Sequence, residues 1–168
     1  MKGLITIAVL LSFLLKSPIR INNIILDLPE GFEITKNNNN DVIKEKNTTY
    51  FRAVGLEEND MIEFKIMPRV ANITIETAKS QIIENYKPET DYGIESFKTP
   101  FFKGHTASFH NIEGTTFTQV AVLRNDLNTY HIVFRKMYTS KQQGEKIFKK
   151  FLNSVQKAPV KTVRHNER

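Results

Sequence analysis

The stretch TFTQVAVLRNDLNTYHIVFRKMY, from Thr116 to Tyr138, decides the fold of this chain. Two apolar runs, Thr116–Arg124 and Thr129–Tyr138, are separated by the turn-forming residues Asn125–Asn128, a spacing typical of an antiparallel hairpin. In the second run apolar side chains alternate along one face, and Val133 adds an apolar position on the other. A strand that is apolar on both faces belongs inside a sheet, so we expect this strand to be central.

The same pattern continues on the N-terminal side of the hairpin. Met61–Met67 alternates between apolar and charged residues, which predicts a strand with one buried face and one wet face. The other predicted strand segments are Ile24–Thr35, which is two short strands around a Pro-Gly break, Thr48–Val54, Ile94–Phe97 and Thr106–Ile112. Their short spacing favours hairpins over parallel crossover units.

Two segments change from a period of two to the period of a helix. Apolar residues recur along one stripe of Ile75–Tyr86, with Thr74 as a candidate N-cap and Pro88 as the stop. Near the C-terminus, Ser140 and Gln143 form a capping box at the start of a second helix. Its apolar stripe comprises Ile147, Phe148, Phe151, Leu152 and Val155. The order of strands, helix, meander and terminal helix predicts an α+β fold, an antiparallel β-sheet flanked by helices.

The N-terminal segment has the layout of an export signal. Lys2 precedes an apolar run of roughly a dozen residues, Leu4–Leu15, which suits a signal peptide and is too short for a comfortable membrane span. No small-x-small cleavage motif closes this run, and Pro18 follows the single small residue there. We expect an exported protein, periplasmic or extracellular. Residues 1–17 are then either a signal peptide or an N-terminal anchor that tethers the chain through residues 4–15.

Composition bounds the rest of the chain. The 168 residues include 40% hydrophobic residues and 12 phenylalanines, enough for one packed core. We predict a single domain over residues 22–157 and a flexible basic tail over residues 158–168. The absence of cysteine excludes disulfides, thiolate metal sites and cysteine nucleophiles. The net charge of +6 is modest and dispersed, so no nucleic-acid partner is expected, and membrane contact is expected only through the N-terminal segment.

No motif in the sequence specifies catalysis, a metal or a cofactor. The chain has no G-x-S-x-G elbow, P-loop, dinucleotide fingerprint or calcium loop. His105 and His110 lie on either side of one predicted strand and out of register, so they cannot both face one metal. We assign His131 to the polar side of its strand and His165 to the tail. We therefore predict no catalytic residues, no metal ligands and no cofactor.

Two further segments contain residues of functional types. Glu57–Asp60 places carboxylates close together, and we assign it to an exposed, solvated turn where acid–base chemistry is hard to arrange. Phe97–Lys103 mixes phenylalanine with lysine, which is also seen in loops that stack on bases or lie in a membrane interface. A hairpin anchored by its phenylalanines is favoured there, and this segment is the first to test for binding.

Several segments occur in the order seen in one known superfamily. They are Leu28-Pro29-Glu30-Gly31-Phe32 after the first strand, the strand ending Ile66-Met67-Pro68, the helix Ile75–Tyr86, the meander ending Tyr130-His131-Ile132-Val133-Phe134, and Phe148–Val155. In this order the chain resembles the PsbP-like superfamily (PsbP, Mog and DcrB-type proteins) over residues 22–157. The resemblance implies an α/β/α sandwich around an antiparallel sheet, and it brings no common cofactor or ligand residues.

The resemblance also implies a module that works by binding another protein. We therefore expect an exported, non-enzymatic binding or accessory module that acts through protein–protein contacts, with a partner of unknown identity. Two alternatives stay open. One is a small hydrolase-like envelope enzyme whose site is assembled from dispersed residues such as His110, His131 and Glu113. The other is a membrane-tethered envelope protein.

Overall fold

The computed structural model describes residues 18–21, 23–34, 42–45, 48–68, 80, 94–110 and 114–159. The strands with described bounds are β1 (Ile19–Ile21), β2 (Ile24–Leu26), β3 (Glu33–Ile34), β4 (Val42–Glu45), β5 (Thr48–Val54), β6 (Met61–Pro68), β7 (Glu95–Lys98), β8 (Lys103–His110), β9 (Thr116–Arg124), β10 (Asn128–Met137) and β11 (Gln156–Lys157). One helix is described over its length, α1 (Lys141–Ser154). The predicted segment 1–17, the predicted helix Ile75–Tyr86 apart from Ser80, and residues 160–168 of the predicted tail lie outside the described residues.

The large sheet is antiparallel, with the order β3-β5-β6-β10-β9-β8-β7 and with β4 also pairing to β5. The predicted hairpin is confirmed as β9 and β10, in which Thr129 lies opposite Arg124, and β10 is central. At the hairpin tip the Asn125 side-chain oxygen accepts hydrogen bonds from the backbone N–H groups of Leu127 (3.0 Å) and Asn128 (2.8 Å). A turn whose N–H groups are satisfied locally sets the register of the strands it joins.

The small sheet has the order β1-β2-β11 and joins the two ends of the described chain. Strand β11 follows α1 and pairs antiparallel with β2, so that Lys157 lies opposite Ile24. One residue further on, the backbone N–H of Ala158 donates to the carbonyl oxygen of Asn23 at 2.7 Å. The two short strands expected within Ile24–Thr35 are β2 and β3, and they belong to different sheets.

One face of the large sheet, the helix face, packs against α1. Phe64, Phe117 and Phe134 on this face are fully buried. Phe148 of α1 stacks on Phe134 with ring centroids 5.5 Å apart, and Phe151 meets Phe64 edge-on at 6.2 Å. Aromatic pairs at these distances add to the stability that burial alone supplies. The predicted apolar stripe of the C-terminal helix is therefore confirmed as the contact between α1 and the sheet.

The opposite face of the large sheet, the far face, is only partly apolar. A second buried cluster on it comprises Met61, Ala107, Val120, Val122 and Val133. On β5, β6 and the end of β10 the far face is charged, since Arg52, Lys65 and Arg135 are exposed there. Strands with this pattern have one wet face, as the alternation in Met61–Met67 predicts.

The described residues are mostly β, in two antiparallel sheets, with α1 as the helix described over its length. The prediction of an antiparallel sheet flanked by helices, an α/β/α sandwich, is therefore wrong. One physical reason is the charge on the far face, which favours water over a covering helix. Another is that part of the apolar cover comes from the small sheet, whose Ile21, Ile24 and Leu26 belong to the main core.

Among the described residues, no helix combines the length and the apolar composition needed to cross a bilayer.

Candidate functional site

Helix α1 forms one wall of two grooves. It begins after Ser140, whose hydroxyl accepts a hydrogen bond from the backbone N–H of Gln143 (3.3 Å), as the capping box predicts. Because its apolar stripe faces the sheet, its two flanks border the grooves. The turn groove lies between α1 and the Leu28–Gly31 turn. The strand groove lies between α1 and strands β7, β8 and β9.

The turn groove has a volume of about 650 Å³. Its apolar lining includes Leu28, Leu56 and Ile147, and its cationic lining comes from Lys136 and Lys150. Leu56 is 86% exposed. A single exposed leucine is ordinary on a protein surface, but this one borders a concave apolar site, where covering it would be favourable.

A tight turn lies beside Leu56. The backbone N–H of Phe32 donates to the carbonyl oxygen of Pro29 at 3.2 Å, and Gly31 has φ +81°. Glycine adopts this left-handed conformation without the steric cost that other residues carry. A Cβ at Gly31 would lie 3.6 Å from the Leu56 side chain, so the turn and Leu56 are in direct van der Waals reach. The Pro-Gly break seen in the sequence thus shapes one lip of the turn groove.

An ion pair with a buried carboxylate holds Lys136, which lines the turn groove. Its ammonium lies 2.8 Å from a carboxylate oxygen of Asp60, whose side chain is 0% exposed. The other carboxylate oxygen of Asp60 accepts the backbone N–H of Met137 at 2.7 Å. The same ammonium lies 5.4 Å from the centre of the Phe32 ring, a cation–π contact. The assignment of Asp60 to a solvated turn is therefore wrong, although Glu57 and Glu58 are exposed as expected.

The strand groove is smaller, at about 370 Å³. Phe97, Phe148 and Leu152 supply apolar walls, and the buried strand residues Thr106 and Gln119 lie between them. Gln119 is 8% exposed, and its side-chain oxygen has no hydrogen-bond partner among the described residues. A buried polar atom without a partner costs free energy, so its presence calls for an explanation.

Charged side chains of both signs surround the strand groove. Glu95 lies on the β7 side, and Glu145, Lys146 and Lys149 lie on α1. Glu145 accepts a hydrogen bond from the Ser108 hydroxyl at 2.5 Å, which ties the helix to β8 beside Gln119. The carboxylate of Glu145 is thereby held in place, whereas Lys146 and Lys149 are exposed to water.

The histidines singled out in the sequence do not converge. His105 and His131 both pair with Val122 in register, so they lie on the far face about two strand spacings, or roughly 10 Å, apart. Burial lowers the pKa of His131 below its usual value, Lys65 lowers it further, and Glu63 acts in the opposite direction. His110 lies on the helix face, where a ring nitrogen is 3.1 Å from the carbonyl oxygen of Thr139.

His110 and His131 therefore lie on opposite faces of the large sheet, and the structure does not bring them together. Glu113 and His165 lie outside the described residues. In the part of the chain that the structure describes, no group of three or more metal-ligating side chains could hold a metal ion.

The Phe97–Lys103 segment forms the hairpin between β7 and β8. Its turn is closed by the backbone N–H of Thr99, which donates to the carbonyl oxygen of Phe102 at 2.8 Å. Phe102 is buried, and its ring and that of Phe101 lie 5.6 and 5.8 Å from the ring of Tyr130. The interpretation as a hairpin anchored by its phenylalanines is confirmed.

Sequence reasoning missed Gln119 and Lys136, the polar residues that distinguish the two grooves. Gln119 does carry a signal, because it is the single amide side chain in β9 and lies at the alternating positions otherwise held by Phe117 and Ala121. Lys136 carries none, since lysines at the end of a strand are common and usually solvated.

Comparison with known proteins adds little about identity. No protein-family model matches the chain, and no curated protein matches it. A crystal structure of a protein from Bacteroides thetaiotaomicron has a TM-score of 0.47 and 8% sequence identity, with 81% of this chain covered. The match spans 45% of that protein, so this chain covers about half of its length. The resemblance to the PsbP-like superfamily remains a prediction.

Proposed function

We propose that this protein is an exported, non-enzymatic binding or accessory module that acts through protein–protein contacts made at the turn groove. The observation that carries the proposal is the exposure of Leu56 beside an apolar groove. Apolar surface at the edge of a concave site favours association, because a partner side chain that covers it removes both surfaces from water.

The lining of the turn groove suggests what the partner presents. Leu28 and Ile147 offer a place for an apolar side chain, and Lys150 on α1 would attract an acidic residue beside it. Glu30 lies on the opposite lip, so the acidic residue of the partner would approach from the α1 side. A partner segment with an apolar anchor next to a carboxylate fits this arrangement.

The hydrolase-like alternative has less support. It depends on a site assembled from His110, His131 and Glu113, and the first two lie on opposite faces of the large sheet. General acid–base catalysis requires groups within hydrogen-bond reach of the same substrate atoms. The turn groove instead combines apolar side chains with a lysine already paired to Asp60.

Site-specific photo-crosslinking tests the contact surface. A benzophenone amino acid is placed at position 56, and separately at position 127 as the matched control, since Leu127 is also an exposed leucine (64%) but lies at the β9–β10 tip. After irradiation of cells, we expect one discrete crosslinked species from position 56 and none from position 127. In a pull-down, the Leu56→Asp variant should no longer recover the partner identified by the crosslink, whereas the Leu127→Asp variant should still recover it.

Equal crosslinking from both positions, or no loss of the partner with Leu56→Asp, would contradict a partner at the turn groove.

Export is tested separately by the intact mass of the protein recovered from the envelope fraction. A mass lacking residues 1–17 supports a cleaved signal, a mass including them supports the membrane-tethered alternative, and recovery only from the cytoplasm contradicts export.

A further inference from the structure

We infer that one end of the large sheet is a docking surface for a bilayer of anionic phospholipid. This tip surface comprises two hairpin ends, residues 98–103 between β7 and β8 and residues 124–128 between β9 and β10. It lies at the opposite end of β10 from Lys136, about 25 Å away, and is therefore separate from the turn groove. The inference goes beyond the proposed protein-binding function and does not depend on it.

Three cations lie in a row across the tip surface. In the sheet register Lys98 of β7 is directly opposite Lys103 of β8, and Lys103 is directly opposite Arg124 of β9. Directly opposite side chains share a face with Cβ atoms about 5 Å apart, and like charges in such pairs destabilise a sheet. Lys98 and Lys103 are both exposed, and neither forms an ion pair with another described residue.

The tip surface is positive overall. Within residues 98–103 and 124–128, Asp126 is the single carboxylate against these three cations. An anion placed over Lys98 and Lys103 would offset the repulsion between them, because it attracts both. The row therefore favours a partner that presents several negative charges side by side, as the headgroups of an anionic membrane do.

Apolar side chains lie at the outer edge of the same surface. Leu127 in the β9–β10 turn is 64% exposed, and Pro100 in the β7–β8 turn is also exposed. Because Lys103 is paired with Arg124, the two turns lie side by side at one end of the sheet. Apolar side chains at the extremity with cations directly behind them match the layers of a bilayer, where the acyl region lies beneath the charged headgroups.

The aromatic residues beside the tip surface favour lipid over nucleic acid. Single-stranded nucleic acids stack their bases on accessible aromatic rings. Here Phe102 and Tyr130 are buried, and the partly buried Phe101 packs its ring 5.4 Å from Phe102 and 5.8 Å from Tyr130. The exposed side chains that remain are aliphatic and cationic, which suits insertion at a lipid interface.

A fluorescent label on the full chain tests contact at the tip surface itself. Because the chain contains no cysteine, Leu127→Cys introduces a single thiol for a polarity-sensitive nitrobenzoxadiazole label. We expect its fluorescence to rise with phosphatidylcholine vesicles that contain phosphatidylglycerol, to stay unchanged with pure phosphatidylcholine, and to return to baseline at high salt. Leu56→Cys, labelled in the same way at the turn groove, is the matched position and should not respond.

Charge variants in the labelled Leu127→Cys protein test the row of cations. Lys98→Gln with Lys103→Gln should raise the lipid concentration for half-maximal signal roughly 20- to 30-fold, since each cation near the surface contributes about a fivefold preference for anionic lipid. Lys146→Gln with Lys149→Gln removes the same charge from exposed positions on α1 and should shift it by less than about threefold. Tm of the Lys98 and Lys103 double variant should be unchanged or higher, because a repulsion is removed.

The inference is overturned if the label at position 127 responds to neither kind of vesicle or equally to both. Equal shifts from the two lysine pairs would also overturn it, because net charge and not the tip surface would then govern binding. A response to a single-stranded oligonucleotide without a response to vesicles would assign the surface to nucleic acid. A lower Tm after removal of the Lys98 and Lys103 charges would assign these lysines to the fold. Contact of position 127 with lipid yields no crosslinked protein, so this position remains the control for the turn groove.

Discussion

At the scale of single residues, the Asp60–Lys136 ion pair predicts the largest change in the free energy of unfolding. The Asp60 carboxylate is fully buried and accepts hydrogen bonds from Lys136 and from the backbone of Met137. Asp60→Asn removes the charge and leaves the lysine partly buried without its counterion. We expect the free energy of unfolding to fall by about 3 kcal/mol, the lower end for broken buried pairs, since Lys136 keeps some access to water.

Urea denaturation measures this loss. Glu58→Gln is the matched control, because it neutralises an exposed carboxylate in the same turn and should change stability by less than about 0.5 kcal/mol. A loss in Asp60→Asn no larger than that of the control would show that the pair contributes little.

His131 predicts a pH dependence of stability. Burial and Lys65 lower its pKa in the folded state below the 6.5 of an unfolded chain, and Glu63 only partly opposes them. The unfolded chain therefore binds the proton more tightly. The contribution of neutral His131 to the free energy of unfolding is therefore fully present above pH 6.5. It is lost as the pH falls through the lowered folded-state pKa.

Calorimetry from pH 8 to pH 5 should show Tm falling on acidification, with a shallower fall in His131→Gln. Other groups contribute to the slope in both proteins, so the difference between the two curves isolates His131. Parallel curves for the wild type and the variant would be incompatible with a lowered pKa at this position.

Single residues also show how far sequence reasoning reaches. Asn125 could be predicted, because its hydrogen bonds go to residues two and three positions away. Asp60 could not, because its partner Lys136 is 76 positions distant and only the pairing of β6 with β10 brings them together. Gln119 lies between these cases, since its unusual position in β9 is visible but the groove above it is not.

At the scale of elements, Gly144 shows packing prevailing over helix propensity. Glycine inside a helix is usually replaced by alanine with a gain of up to about 1 kcal/mol. Here the Phe117 ring lies so close to Gly144 that an added methyl group would overlap it. We expect Gly144→Ala to destabilise the protein by about 1–2 kcal/mol, as overpacked cores do.

Thermal unfolding checks this, with Gln142→Ala as the control on an exposed position of the same helix, where alanine should be neutral or slightly stabilising. Combining Gly144→Ala with Phe117→Leu should cost less than the sum of the two single variants, because the smaller side chain makes room. A higher Tm for Gly144→Ala alone would mean that α1 shifts away from β9 without loss.

The elements themselves were largely predictable. The capping serine and the apolar stripe of α1, the β9–β10 hairpin and the one-sided strand β6 all follow from local periodicity, which depends on neighbours in sequence. Sheet membership does not. β2 and β3 are separated only by a Pro-Gly turn, yet they pair with β11 and β5, and neither partner can be read from local pattern.

At the scale of the whole molecule, the layer on the helix face is composite. Helix α1 covers the centre of the large sheet, and the small sheet extends this cover with Ile21, Ile24 and Leu26. The expectation of helices on both faces is wrong, because the small sheet supplies part of the apolar cover on this face and the far face carries exposed charged side chains. The arrangement makes the two ends of the described chain mutually dependent, since β2 pairs with β1 on one side and with β11, which follows α1, on the other.

This dependence predicts different effects of two C-terminal truncations. A chain ending at Ser154 loses β11 together with the buried side chains of Val155 and Ala158, and should lose about 2–4 kcal/mol of unfolding free energy. A chain ending at Pro159 keeps all of these contacts and should match the full chain within about 0.5 kcal/mol. Hydrogen exchange adds a local readout, because the amides of Ile24–Leu26 should lose protection in the shorter chain while those of β9 and β10 retain theirs. Unchanged protection of β2 after truncation at Ser154 would mean that the small sheet does not depend on β11, and that α1 alone holds the N-terminal strands in place.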